Sequence, residues 1–354
     1  KKKKKKKAMI WEPMADFLNR MRDIVQEDIG KRGLRTEAAR NLINACPDDF
    51  RLACQSLATT PNPGLAIVTG FFIPTAQPPA GETDGPLGAV FLARALLPLG
   101  IKVALVSDAF CERALRAGLA ACGLQEQAPV FVLPTPAAAR TLSPDAYCRT
   151  ALAQVPFLIT HLLAIERVGP SHTLETLQQQ MQSDGALGQS YLDFLDAVPQ
   201  EHQNRCHTMR GCDITDLMSP AHQLFEWAQQ QPNVTTIGIG DGGNEIGMGK
   251  IPWDIIDRNI AGGGLVACRV PTKHLLVCGI SNWGAYALAA GIWRWRGHAL
   301  HPLLADPENE RKILRVMVDH GPLVDGVTGQ PAMSVDAQTF DDYIKVLPAL
   351  AALR

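Results

Sequence analysis

The stretch Thr235–Gly249, TTIGIGDGGNEIGMG, constrains this chain more than any other. A β-branched run (Val234, Thr235, Thr236, Ile237, Ile239) reads as a buried strand that breaks at once into glycine. Gly238, Gly240, Gly242 and Gly243 surround one acid, Asp241, and Asn244 and Glu245 follow. A strand ending in a loop almost without side chains brings backbone N–H groups close to whatever sits there. Three readings compete: a dinucleotide loop, a metal or acid–base site, and a tight turn. Gly238, Gly240 and Gly243 satisfy G-x-G-x-x-G, but Asp241 and Glu245 both repel a pyrophosphate. The loop also lies late in the chain, and no acid closes a second strand about 20 residues on. A turn explains the glycines and leaves Asp241, Asn244 and Glu245 without a purpose. A catalytic or ligand site uses all of them.

The rest of the chain supplies a sheet for that loop. Leu65–Val68, Ile101–Val106, Val130–Leu133, Phe157–Leu163, Leu265–Val270 and Leu275–Cys278 read as further strands. Helical stretches at Pro86–Leu97, Cys111–Cys122, Ala285–Trp293 and Asn309–Asp319 alternate with them, and Ser219 is placed to cap another that runs to about Gln230. Alternation of this kind predicts an α/β fold: a largely parallel sheet with helices on both faces. Residues 8–60 read as a helical N-terminal segment, with helices over Met14–Val25, Thr36–Ala45 and Asp49–Leu57, and residues 61–354 as the α/β domain. About 171–203 reads as a helical insertion broken at Asp184-Gly185, either a lid or a dimerisation arm. Strand ends at Thr69, Ser107, Glu166, Gly238 and Ile280 should then share one edge, the edge where open parallel sheets bind ligands.

Other clusters fall at that edge. Gly81-Glu82-Thr83-Asp84-Gly85-Pro86 puts two carboxylates just before a helix. Asp84 could merely cap that helix, but Glu82 would then be idle. Close carboxylates push one another's pKa apart, so one can serve as acid and another as base, and a divalent cation is the other common use of such oxygens. Glu166-Arg167 lies at a buried strand end, and Arg167 or Arg210, with Asp213 nearby, could seat a substrate carboxylate. His172 and His207 are general-base candidates. Ser281 in GISNWG suits hydrogen bonding better than nucleophilic attack, since no G-x-S-x-G occurs.

Composition narrows the function classes. Lys1–Lys7 is an unbroken lysine run, read as a tag or as unassigned residues. Without it 27 basic residues face 35 acidic ones, a balance that does not suggest nucleic acid as a partner. Nine cysteines with no C-x-x-C pair point to reduced thiols in a cytoplasmic setting. The chain has no apolar run of the ~18 residues that a membrane span needs.

Taken together, VTGFFIP (68–74), PAGETDGPLGA (79–89), AIERVGP (164–170), RGCDIT (210–215), IGDGGNEIGMGK (239–250) and GISNWGAYALA (279–289) resemble the D-glutamate cyclase family, formerly a domain of unknown function. The likeness runs from about Leu65 to the C-terminal region. The segment between AIERVGP and RGCDIT is longer than the connection found in some members, and a stand-alone, bacterial-type cytoplasmic protein is expected. The resemblance implies a hydro-lyase that converts D-glutamate to 5-oxo-D-proline with loss of water. On that basis Asp241, Glu245, Glu82 and Asp84 are the catalytic candidates. Thr69, Glu166, Arg167, His172, Arg210, Asp213, Gly242, Gly243, Asn244, Ser281 and Asn282 are the substrate-binding ones, with the N–H groups of Gly242 and Gly243 or a cation facing the oxyanion. A divalent metal ion is an open cofactor, an acidic amino acid the expected partner, and a homo-oligomer an open state. The rival readings are a metal-dependent hydrolase and a non-catalytic binding protein for a small acidic metabolite, with a nicotinamide-dependent oxidoreductase further behind.

Overall fold

A computed structural model describes residues 2–182 and 188–353. Six strands form its central sheet: β1 (Gly64–Thr69), β2 (Lys102–Ser107), β3 (Val130–Val132), β4 (His161–Ile165), β5 (Thr235–Gly240) and β6 (His274–Val277). Their spatial order is β3-β2-β1-β4-β5-β6, and every neighbouring pair is parallel. This is a doubly wound sheet, and its order reverses between β1 and β4. Thr69 pairs with Ile165 there, so Thr69 and the next residue, Glu166, face the switch point.

Alternation along the strands divides the interior into two cores. Leu65, Ile67, Leu163, Ile165, Ile237 and Ile239 face one core, shared with α1 (Lys2–Val25), α2 (Asp49–Thr59), α3 (Pro86–Leu96), α4 (Ala109–Ala121) and the Ser281–Trp295 helix. Ala66, Val68, Leu162 and Ala164 face the other, beside the Pro144–Leu152, His222–Gln229 and Trp253–Asn259 helices. Helices therefore cover both faces, as the sequence pattern predicts.

Several elements differ from expectation. Thr36–Ala45 is a chain of turns, because side chains take over the backbone bonding. Asp28 accepts the N–H groups of Arg32, Gly33 and Leu34 at 2.9–3.0 Å, and Asn259 Oδ1 accepts that of Glu37. Leu265–Val270 is no strand: a short helix, Gly263–Val266, runs into a single bridge between Ser171 and Cys268. β4 starts later than the apolar run that announces it, at His161. Ser219 is no helix cap, since its Oγ donates to Pro134 O and bonds Tyr147 Oη, while the helix begins at His222.

The 171–203 segment forms helices over Leu174–Gln182 and Gly188–Ala197; its expected break at Asp184-Gly185 lies outside the described residues. Gln180 fastens it by donating to Gly249 O and Ile251 O and accepting from Trp253 N. Among the described residues, no helix is long and apolar enough to cross a membrane.

Candidate active site

Five buried carboxylates converge where β1, β4 and β5 end: Glu82, Asp84, Glu166, Asp241 and Asp336, none more than 8% exposed. All but Asp84 line, with Arg32, a cavity of about 210 Å³, walled also by Phe71, Ile73, Met209, Asn244 and Val327 and rimmed by Arg210. Arg32 and Asp336 escaped the sequence reading. Arg32 rides on the turn that Asp28 holds, and its guanidinium pairs with Asp241 and, at 2.7 Å, with Asp336. The only local signal was a basic residue between two helix-ending glycines, Gly30 and Gly33. Asp336 and Ala337, with φ of +52° and +61°, are the two tip residues of a hairpin joining Ser334–Val335 to Gln338–Thr339. Aspartate tolerates that left-handed geometry, so the sequence there reads as a plain turn.

The glycine loop is built differently from a phosphate cradle. Glu245 turns back under it, and its carboxylate accepts the N–H groups of Asp241 (2.9 Å), Gly242 (2.6 Å) and Gly243 (2.7 Å). The loop thus carries its own anion, and the Gly242 and Gly243 donors expected to face an oxyanion are already taken. Gly243 has φ of +103°, which only glycine adopts easily. Asn244 donates to His207 O at 2.8 Å, leaving its Oδ1 buried on the cavity wall with no donor.

Asp84 caps a helix, but not the one that follows it. Its carboxylate accepts Ser281 N (2.9 Å) and Asn282 N (2.8 Å) at the start of the Ser281–Trp295 helix. Asn282 Oδ1 returns the favour, accepting Gly85 N and Gly88 N, both at 2.8 Å, at the start of α3. The two helices lock each other's N-termini beside the cavity. Ser281 Oγ donates to Glu166 at 2.6 Å, and Glu166 itself has φ of +44°, a strained conformation of the kind that gathers at functional sites. Glu82 is wedged against Gly326, where an added Cβ would stand 1.8 Å from its Oε2.

Apart from Arg210 at the rim, the remaining candidates lie away from the cavity. Arg167 is fully buried and occupied by Asp108, Gly70 O and Ser219 O, so it braces the loops behind the site. Thr69 Oγ1 is buried beside Gly85 without a partner. His172 is buried against Thr176, and burial with Arg269 nearby pushes it down to about 3. His207 bonds His202 at 3.0 Å and is also held below its ordinary value, chiefly by burial. Asp213 pairs with Arg205 at 2.8 Å. Arg210 is exposed and donates to Val327 O, free to turn its other donors inward. None of the described residues of the 171–203 segment lines the cavity.

Electrostatics sets this cluster apart from a structural ion-pair network. Burial raises Glu82, Asp84 and Glu166 well above the ordinary carboxylate range, and repulsion from neighbouring carboxylates, Asp336 first for Glu82 and Asp84 and Asp241 first for Glu166, adds to it. Asp241 is raised by burial although Arg32 opposes. Asp336 reaches about 7, again through burial opposed by Arg32, and it hydrogen-bonds Asp241. Two carboxyl groups in such contact share one proton, and their titration belongs to the pair.

Fold and site define an α/β protein with a carboxylate-lined cavity at the switch point of a doubly wound sheet. A family model described as D-glutamate cyclase-like, C-terminal, matches residues 21–185 and 188–351, and the chain belongs to that family. It is 29% identical over 324 residues to the human protein named D-glutamate cyclase, mitochondrial; the aligned part is 83% of this chain and 46% of that protein. The chain therefore spans less than half the length of that relative.

Proposed function

We propose that this chain is a hydro-lyase that closes D-glutamate to 5-oxo-D-proline. The observation that carries the reading is the Asp241–Asp336 pair, clamped by Arg32 at the cavity wall with Asp336 at about 7. Ring closure requires the substrate nitrogen to lose two protons and the departing oxygen to gain two, so that water leaves. A dyad that accepts one proton while giving another does this twice per turnover, once as nitrogen attacks and once as water leaves, its shared proton re-equilibrating between the two. Asp241, the partner that the hydrogen bond between the two carboxyls biases towards the charged form, takes a proton from the ammonium. Asp336, which holds the shared proton near neutral pH, delivers one to the oxygen of the side-chain carboxyl. Arg32 offsets the negative charge on the tetrahedral intermediate.

The cavity also suits the substrate's charges. Asn244 Oδ1, Glu166 and Glu82 present acceptors to an ammonium, and Arg210 at the rim matches the α-carboxylate. A divalent cation remains part of the proposal. Oxygens of Asp84, Asp241 and Asp336 lie within 4.8 Å of one another, as do those of Glu166, Asp241 and Glu245, and such all-oxygen sets suit a hard cation. Bound there, it would supply Lewis-acid polarisation of the substrate carboxyl. All nine cysteines are free thiols, in keeping with a reducing compartment such as the cytoplasm.

NMR of D- and L-glutamate incubated with the protein, with and without EDTA, tests the reading. Formation of 5-oxo-D-proline from the D isomer is the expected result, and unchanged D-glutamate with added Mg²⁺ and Mn²⁺ overturns it. Asp241→Asn should lower kcat by at least about 10²-fold, in line with the loss of a positioned general base.

A further inference from the structure

A further buried carboxylate, Asp325, takes no part in the acidic cluster and yet holds two pieces of the cavity wall. It is fully buried and does not itself line the cavity. Its Oδ1 accepts the N–H groups of Val327 (3.0 Å) and Thr328 (2.9 Å). Its Oδ2 accepts the Ser334 hydroxyl at 2.7 Å and the N–H of Ala337 at 2.8 Å. The first arm shapes the Gly326–Val327 wall, which meets Glu82 at Gly326 and offers Arg210 the carbonyl of Val327. The second arm reaches the hairpin tip beside Asp336.

That hairpin needs such a hold. It has two residue pairs, Val335 with Gln338 and Ser334 with Thr339, and a hairpin so short does not stand alone in water. Both tip residues are left-handed, a turn in which glycine is the favoured second residue. Ala337 stands there instead, so the tip geometry is imposed from outside, and such geometry persists only where its surroundings fix it. Thr83 Oγ1 secures the base by donating to Ser334 O at 2.9 Å. The tip is fixed by Asp336 on Arg32 and by Ala337 N on Asp325. Arg32 and Asp241 ride on turns held in the same manner, by Asp28 and by Glu245. Each of the three charged partners thus sits on a turn whose N–H groups a further carboxylate captures.

We propose that Asp325 is a positioning residue, which sets Asp336 against Arg32 and Asp241 through Ala337 N and Ser334 Oγ. Its catalytic consequence rests on the reading of the Asp241–Asp336 pair as the acid–base couple for D-glutamate. The chemistry of the carboxylate decides which arm an amide would lose. In Asp325→Asn one oxygen remains an acceptor, while Nδ2 only donates. Val327 and Thr328 offer two N–H donors, so the oxygen stays with their turn. Nδ2 can donate to Ser334 Oγ, because a hydroxyl both gives and accepts, but the N–H of Ala337 then faces another donor and is left without a partner. The substitution therefore releases the tip beside Asp336 and keeps the Gly326–Val327 wall.

Hydrogen exchange of single amides, followed by NMR on the full chain, tests the hold without turnover. Asp325→Asn should speed exchange at Ala337 by at least about tenfold and leave Val327 and Thr328 within about twofold of the wild type. Unchanged exchange at Ala337, or an equal rise at all three amides, overturns the assignment. Kinetics with D-glutamate tests the consequence. In Asp325→Asn kcat should fall by at least about tenfold, the effect of a displaced reacting group, with KM held within about threefold. A loss confined to KM, or an unchanged kcat with a loosened tip, overturns the positioning role. Should Asp325→Asn not fold, Ser334→Ala removes one donor on the tip side and leaves the carboxylate in place. It should speed exchange at Ala337 and lower kcat, each by at least about threefold, and no change in either overturns the proposal. A wild type inactive towards D-glutamate would sink the proposed reaction, whereas the exchange rates would still decide whether Asp325 holds Asp336.

Discussion

Among the described residues, Arg32 is the one cation that contacts both members of the Asp241–Asp336 pair, and its removal separates two effects. Arg32→Gln should raise both carboxyls further, move the acidic limb of the pH–rate profile upward, and lower kcat/KM by at least about 10²-fold, a loss typical of a group that stabilises transition-state charge. Kinetics of D-glutamate turnover between pH 5 and 9 checks it. Asp336 also makes a stability statement. Its folded value of about 7 lies above the ordinary aspartate value near 3.9, so between the two the folded chain holds a proton that the unfolded chain has released. Its contribution is full below about pH 4 and is lost as pH rises towards 7, at no more than about 1.4 kcal/mol per pH unit. Four histidines act oppositely: His161 and His274 are pushed down to about 4 and His172 and the half-buried His222 to about 3, mainly by desolvation, so they favour the fold as pH rises towards 6.5. Subtracting the urea stability of Asp336→Asn from that of the wild type cancels the histidines. The difference should fall between pH 4.5 and 7.5, and a flat difference would contradict the assignment.

At the level of elements, the loop after β5 is held by a side chain more than by its glycines. Glu245 satisfies three consecutive N–H groups, and a hydrogen bond to a charged group contributes about 1.5–3 kcal/mol. Glu245→Ala should therefore cost about 3 kcal/mol or more in urea unfolding and release Asp241 from its position, with activity lost as well. The GDGGNE motif was legible as a site, but the inward turn of Glu245 was not, since a carboxylate four residues on can face either a ligand or its own loop. The reciprocal caps of Asp84 and Asn282 were hidden for a similar reason. Local spacing assigns a cap to the next helix, whereas here each residue caps the helix of the other, some 200 positions away. Likewise the apolar run at Leu265–Val270 had the composition of a strand, yet Gly263 and Gly264 pack against Ile256 O and Asp257 and turn it into a helical corner.

For the molecule as a whole, the N-terminal segment belongs to the sheet. Phe17, Leu18, Met21 and Val25 of α1 are buried in the same core as β1, β4 and β5. Leu18→Ala should lower global stability by about 2–5 kcal/mol, the usual cost of emptying a core leucine site. Unfolding followed by circular dichroism and by tryptophan fluorescence should then shift together, whereas early loss of α1 alone would show it to be an independent unit. The same packing carries Arg32 to the acidic cavity, more than 200 residues from Asp241 in sequence.

Period-two and helical patterns act between near neighbours, and burial enforces them, so the sequence alone determined the α/β class, the strands β1 to β6 and the edge at which Glu82, Asp84, Glu166 and Asp241 meet. It also marked Asp241 by placing a lone acid among glycines after a strand. Only the tertiary structure decided which charges face one another. It brought Arg32 and Asp336 from turns with no motif of their own, withdrew Arg167 to Asp108, and turned Glu245 under its loop. Charge interactions at a few ångströms depend on distance and burial, not on spacing along the chain, and those are settled only when the chain has closed.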